Sequence, residues 1–83
     1  MKIVKINSLG CPSCIIMNKV FNKIKEKYNF DLEELDYDFD DIEKYNIGNI
    51  LPVYIFYKNN NEIKRICGEH KLEEIEKIIE EVQ

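Results

Sequence analysis

The chain has 83 residues, 45% of them apolar, and its 16 acidic and 12 basic side chains give a formal net charge of −4. That length excludes two independently cored domains and lies near the size at which one core is just sufficient. The acidic balance excludes the basic footprint of a nucleic-acid binder, and apolar runs such as Val53-Tyr54-Ile55-Phe56-Tyr57 fall far short of the roughly 20 residues that cross a bilayer.

The expectation is one domain over residues 1–83, a monomer with no nucleic acid or membrane among its partners. Met1-Lys2-Ile3-Val4-Lys5 lacks the apolar stretch and small-residue cleavage site of an export signal, so the expected compartment is the cytoplasm. There, ordinary thiols stay reduced, and three cysteines point to catalysis or metal binding rather than to structural disulfides.

In chain order, Ile3, Val4 and Ile6 predict a short buried strand over Lys2–Asn7 that ends at the turn Ser8-Leu9-Gly10. From Cys11 to about Tyr28, Ile16, Met17, Val20, Phe21, Ile24 and Tyr28 recur at steps of three and four, the spacing of one buried helix face. Pro12 suits the first helical position and makes Cys11 the N-cap. Phe30 to Tyr37 reads as a second strand. Asp40 or Asp41 then caps a short expected helix through Ile42 and Tyr45, which ends by the Gly48 segment.

Ile50 to Tyr57 is strongly β-prone, with Pro52 at its mouth where a missing N–H is tolerated. Lys58-Asn59-Asn60-Asn61 predicts a hairpin turn into a strand over Glu62–Cys67, and Gly68 breaks that strand. Leu72, Ile75, Ile78, Ile79 and Val82 mark a final amphipathic helix. The order is βαβαββα. A parallel crossover followed by a hairpin implies a mixed four-stranded α/β sheet with helices on both faces.

The chemistry concentrates in Cys11-Pro12-Ser13-Cys14. A C-x-x-C that opens a helix after a buried strand places its first sulfur beside unpaired backbone N–H groups and the positive end of the helix dipole, which favour a thiolate. The thiolate is the nucleophile of disulfide exchange, so Cys11 is the attacking thiol and Cys14, nearly one turn on, the resolving thiol.

With this motif after the first strand, Pro52 opening the third, the hairpin through Asn59-Asn60 and Gly68 before the last helix, the chain resembles the thioredoxin/glutaredoxin superfamily over nearly its whole length. The resemblance implies a thioredoxin fold and a thiol–disulfide oxidoreductase that reduces protein disulfides. It assigns catalysis to Cys11 and Cys14 and places Pro12, Ser13, Leu51, Pro52 and Gly68 around the substrate. In that family the proline is cis, and the backbone before it pairs with substrate. No cofactor or metal is implied; the expected partners are disulfide-containing proteins and an electron donor of the thioredoxin-reductase or glutathione type.

Several residues depart from the family pattern. A single glycine, Gly68, stands where glutaredoxins usually carry a pair, Leu9-Gly10 replaces the tryptophan of thioredoxins, and Lys5 stands where many thioredoxins bury an acid. Lys5 is expected to send its amine to water along an apolar stem. Cys67 is expected to fill space in the core, His70 to be a solvated residue in the first helical turn, and Tyr54 and Tyr57 to lie on the sheet faces. The acidic run Asp36–Glu43 reads as solvated surface. The competing function is a Cys3His zinc or iron–sulfur site from Cys11, Cys14, Cys67 and His70, although the gap between its two pairs is far longer than zinc-ribbon spacing.

Overall fold

The computed structural model describes residues 1–83. Its strands are β1 (Lys2–Asn7), β2 (Asp31–Asp36), β3 (Val53–Lys58) and β4 (Asn61–Cys67), and its helices are α1 (Pro12–Lys27) and α2 (Leu72–Val82). The strands form one sheet in the order β2-β1-β3-β4. β1 pairs parallel with β2 and antiparallel with β3, and β3 pairs antiparallel with β4. The mixed four-stranded sheet is as expected. The hairpin closes through Asn59 and Asn60, whose φ values of 53° and 66° are those that two-residue hairpin loops demand.

Strand alternation divides the apolar residues between two faces. On the first, Ile3, Tyr54 and Phe56 meet Met17, Phe21 and Ile24 of α1 and Ile75, Ile79 and Val82 of α2. Phe21 anchors this layer, stacked on Tyr54 at 5.1 Å between ring centroids and edge-on to Phe30 at 5.8 Å. On the second face Val4, Ile6, Val53 and Ile55 pack with Tyr45, flanked by Leu35, Ile42, Ile47, Leu51 and Tyr57. No helix is long and apolar enough to cross a membrane.

The segment after β2 differs from expectation. Instead of a helix from Asp40 or Asp41, only a single 3₁₀ turn forms, Glu43–Tyr45, so both long helices lie on the first face and this turn with its flanking loops covers the second. Local carboxylates explain the shortening. Asp36 accepts the N–H groups of Asp38 and Phe39, Asp40 accepts that of Asp36, and Asp41 accepts that of Glu43, so side chains take up donors that a longer helix would pair. Asn46, left-handed at φ 52°, ends the turn. Arg65 of β4 holds it in place, donating to the Tyr45 carbonyl at 2.9 Å while its other nitrogens grip Glu62.

The fully buried Phe21 makes the core testable. Phe21→Ala is expected to lower the unfolding free energy in urea by about 3–5 kcal/mol, and a loss below about 1 kcal/mol contradicts its place at the centre of the first layer.

Candidate active site

β1 delivers the chain to the site through the turn at Gly10, whose φ of 74° suits a residue without a Cβ. Cys11 follows in extended conformation and caps α1: its Sγ accepts the Cys14 N–H at 3.2 Å. The sulfur thus occupies the place where a helix offers unpaired donors and positive potential. The register of α1 then puts Cys14 in the same buried stripe as Met17, Phe21 and Ile24, leaving it 3% exposed while Cys11 is half-buried. All three cysteines are free thiols.

A second segment closes on the first. The Leu51 carbonyl lies 3.9 Å from Cys11 Sγ, within reach of a thiol donor, and the Leu51–Pro52 peptide bond is cis. Gly68, at φ 80°, donates its N–H to the Pro52 carbonyl at 2.9 Å, and Ser13 Oγ donates to Glu69 at 2.9 Å. Cys11, Pro12, Ser13, Cys14, Leu51, Pro52 and Gly68 are thereby brought into one neighbourhood. Leu9, 77% exposed, and the exposed Ile15 and Ile50 supply apolar surface in the same segments. Beyond Ile50 lies a cavity of about 260 Å³ lined by Ile47, Ile50, Val53, Arg65, Ile66 and Cys67 among others.

The two motif sulfurs are unequal. Burial pushes the Cys14 thiol up to about 11, with a further push from its hydrogen bond to Cys11, against opposing pulls from the Ser8 backbone and the Lys5 ammonium. Cys14 is therefore protonated at neutral pH and shielded from solvent, whereas Cys11 is the sulfur that an incoming disulfide can reach.

No protein-family model and no curated protein matches the chain. Solved structures do. The Schistosoma mansoni thioredoxin pre-protein superposes with a TM-score of 0.86 at 24% identity, covering 99% of this chain and 78% of its own. Thioredoxin-2 of the malaria parasite gives 0.87 at 18% identity over 96% and 81%, and Fasciola hepatica thioredoxin 0.82 at 22% identity over 99% and 80%. The chain has the thioredoxin fold.

Within that fold, three residues lie differently from expectation. Lys5 does not reach water: it is buried, with its amine 4.9 Å from the centroid of the Phe21 ring and 3.9 Å from Glu34. Cys67 is exposed rather than packed, because it is the last residue of the edge strand β4. His70 precedes α2 and is held, its ring nitrogens 3.2 Å from Glu74 and 3.0 Å from the Cys67 carbonyl. The Cys3His set is consequently not assembled, and no three His, Cys, Asp or Glu side chains converge to hold a metal ion.

Sequence reasoning named the cysteines and the proline but missed the burial of Lys5 and the tie from Ser13 to Glu69. The signal for Lys5 was present, since it alternates in phase with the buried Ile3 on β1.

The raised Cys14 pKa gives a direct expectation. In a Cys11→Ser, Cys67→Ser protein, alkylation of Cys14 by iodoacetamide should keep accelerating beyond pH 9, since burial disfavours its thiolate. A rate plateau below pH 9 contradicts this placement of Cys14.

Proposed function

We propose that the protein is a thiol–disulfide oxidoreductase that reduces protein disulfides by dithiol exchange through Cys11 and Cys14. The observation that carries this reading is the capping contact itself: Cys11 Sγ sits at the N-terminus of α1 as an acceptor for the Cys14 N–H, with Cys14 buried behind it. Disulfide exchange needs a sulfur nucleophile that a substrate can approach, and Cys11 is the half-buried one of the motif pair while Cys14 is enclosed. In the first step the Cys11 thiolate attacks a substrate disulfide, forming a mixed disulfide and expelling one substrate thiolate. In the second, Cys14 attacks Cys11 Sγ, the mixed disulfide breaks, and the second substrate sulfur leaves, with the pair left as a Cys11–Cys14 disulfide.

The exposed apolar side chains of Leu9, Ile15 and Ile50 favour a polypeptide substrate over a small polar one. Leu51 supplies backbone next to Cys11 that suits pairing with an extended segment. Gly68 donates to the Pro52 carbonyl and so ties down the segment that carries Leu51, and Pro12 and Ser13, next to Cys11 in the chain, are the residues that a bound segment would pass. An electron donor of the thioredoxin-reductase or glutathione type, in a reducing compartment such as the cytoplasm, returns the pair to dithiol. The chemistry requires no bound cofactor.

Equilibration in graded thiol–disulfide buffers, followed by alkylation and intact-mass analysis, tests the couple. The expected result is a reversible two-hydrogen loss, absent in Cys11→Ser, with a potential between about −270 and −200 mV. Failure of the Cys11 and Cys14 thiols to form a reversible disulfide in any buffer would overturn the reading.

A further inference from the structure

The two arms of the site carry no charge of their own. From Ser8 to Asn18, through the motif and the first turns of α1, and from Asn46 to Tyr57, through the Leu51–Pro52 bond, there is no acidic or basic residue. Two carboxylates are tied to these arms from outside, each by a serine hydroxyl. Ser13, within the motif, donates to Glu69 at 2.9 Å, and Ser8, three residues before Cys11, donates to Asp38 at 2.6 Å.

The topology sets these carboxylates on opposite sides of Cys11. Asp38 follows β2 and Glu69 follows β4, the two edge strands, whereas Cys11 follows β1 between them, and all three strands end at the same end of the sheet. Both backbones are fixed: the Asp38 N–H donates to Asp36 at 2.8 Å, and Glu69 comes directly after Gly68, which is bonded to the Pro52 carbonyl. Neither carboxylate is in an ion pair, and the cations nearby are otherwise engaged. Arg65 grips Glu62, His70 faces Glu74, Lys5 is buried beside Glu34, and Lys71 forms no ion pair with Glu69. Exposed apolar side chains adjoin both anions, Leu9 and Phe39 on one side and Ile50, against Gly68, on the other. Fixed charges at the rim of an apolar contact surface select partners and speed their encounter.

We propose, building on the dithiol-exchange reading, that Asp38 and Glu69 are specificity-determining residues that select polypeptide disulfides whose cysteine is flanked by lysine or arginine. A cationic side chain on either side of the substrate cysteine meets a carboxylate already held in place, while the apolar rim covers the stems of those side chains. An acidic segment meets like charge on both sides and has no free cation to answer it.

The test uses a Cys67→Ser protein and two cysteine peptides that differ only in their flanking residues, lysine in one and glutamate in the other, each joined to thionitrobenzoate as a mixed disulfide. Attack of Cys11 on the peptide sulfur forms the Cys11–peptide bond, breaks the bond to thionitrobenzoate and releases that coloured thiolate. Each rate is divided by the rate of the same peptide with mercaptoethanol, which removes differences in intrinsic reactivity. The lysine peptide is expected to react about tenfold faster at about 0.01 M ionic strength, with the ratio falling towards one at about 1 M, where screening is nearly complete. Asp38→Asn together with Glu69→Gln is expected to narrow the low-salt ratio to about twofold. If the double variant does not fold by circular dichroism, the two single variants, each narrowing the ratio in part, carry the comparison. A ratio near one, a ratio that survives high salt, a preference that persists without the two carboxylates, or variants that change both rates by the same factor overturn their role and leave dithiol exchange intact. Release no faster than from a Cys11→Ser protein overturns the exchange reading and this proposal with it.

Discussion

Helix α1 begins where it does because Pro12 has no N–H to leave unpaired, and because the sulfur of Cys11 accepts the Cys14 N–H that would otherwise lack a partner. That one contact fixes the relation of the two cysteines. Cys11 stays at the rim in extended conformation, while Cys14, inside the first turn, joins the stripe that Met17, Phe21 and Ile24 press against the sheet. The register that builds the core therefore also decides which sulfur meets a substrate and which waits behind it.

The surrounding structure serves this arrangement from two sides. Below it, β1 and β3 present Lys5 and Tyr54 as cross-strand partners on the face that α1 covers. Beside it, the chain from Leu51 to Pro52 approaches Cys11 and is held by Gly68. The opposite face of the sheet, with only a 3₁₀ turn over it, takes no part in positioning the thiols beyond packing against Val53, Ile55 and Leu51.

Much of this was legible in the sequence because local signals and tertiary structure agreed. The helical spacing from Met17 to Ile24, the β-prone run after Pro52 and the Asn59-Asn60 turn each point to the element that forms, whereas Ile16, expected on the buried face of α1, is exposed and Cys14 takes the inward position instead. The motif was legible for the same reason, as C-x-x-C with proline in second place carries its own capping chemistry. Disagreement arose where side chains outbid a local preference. The carboxylates of Asp36, Asp40 and Asp41 took up backbone donors and cut the expected helix to one turn. Lys5 followed its strand phase inward despite its charge, and Cys67, a residue type that usually fills cores, was left outside by the end of an edge strand. The ties of His70 to Cys67 and Glu74 depend on a loop path that spacing does not encode.

The central claim is that Cys11 attacks and Cys14 resolves, and covalent trapping tests it most directly. A Cys14→Ser, Cys67→Ser protein mixed with a disulfide-bonded protein such as insulin is predicted to accumulate an intermolecular disulfide through Cys11, visible by non-reducing electrophoresis and released by added dithiol. The same adduct forming equally well when Cys11 is replaced and Cys14 retained, or forming with neither, would contradict the account.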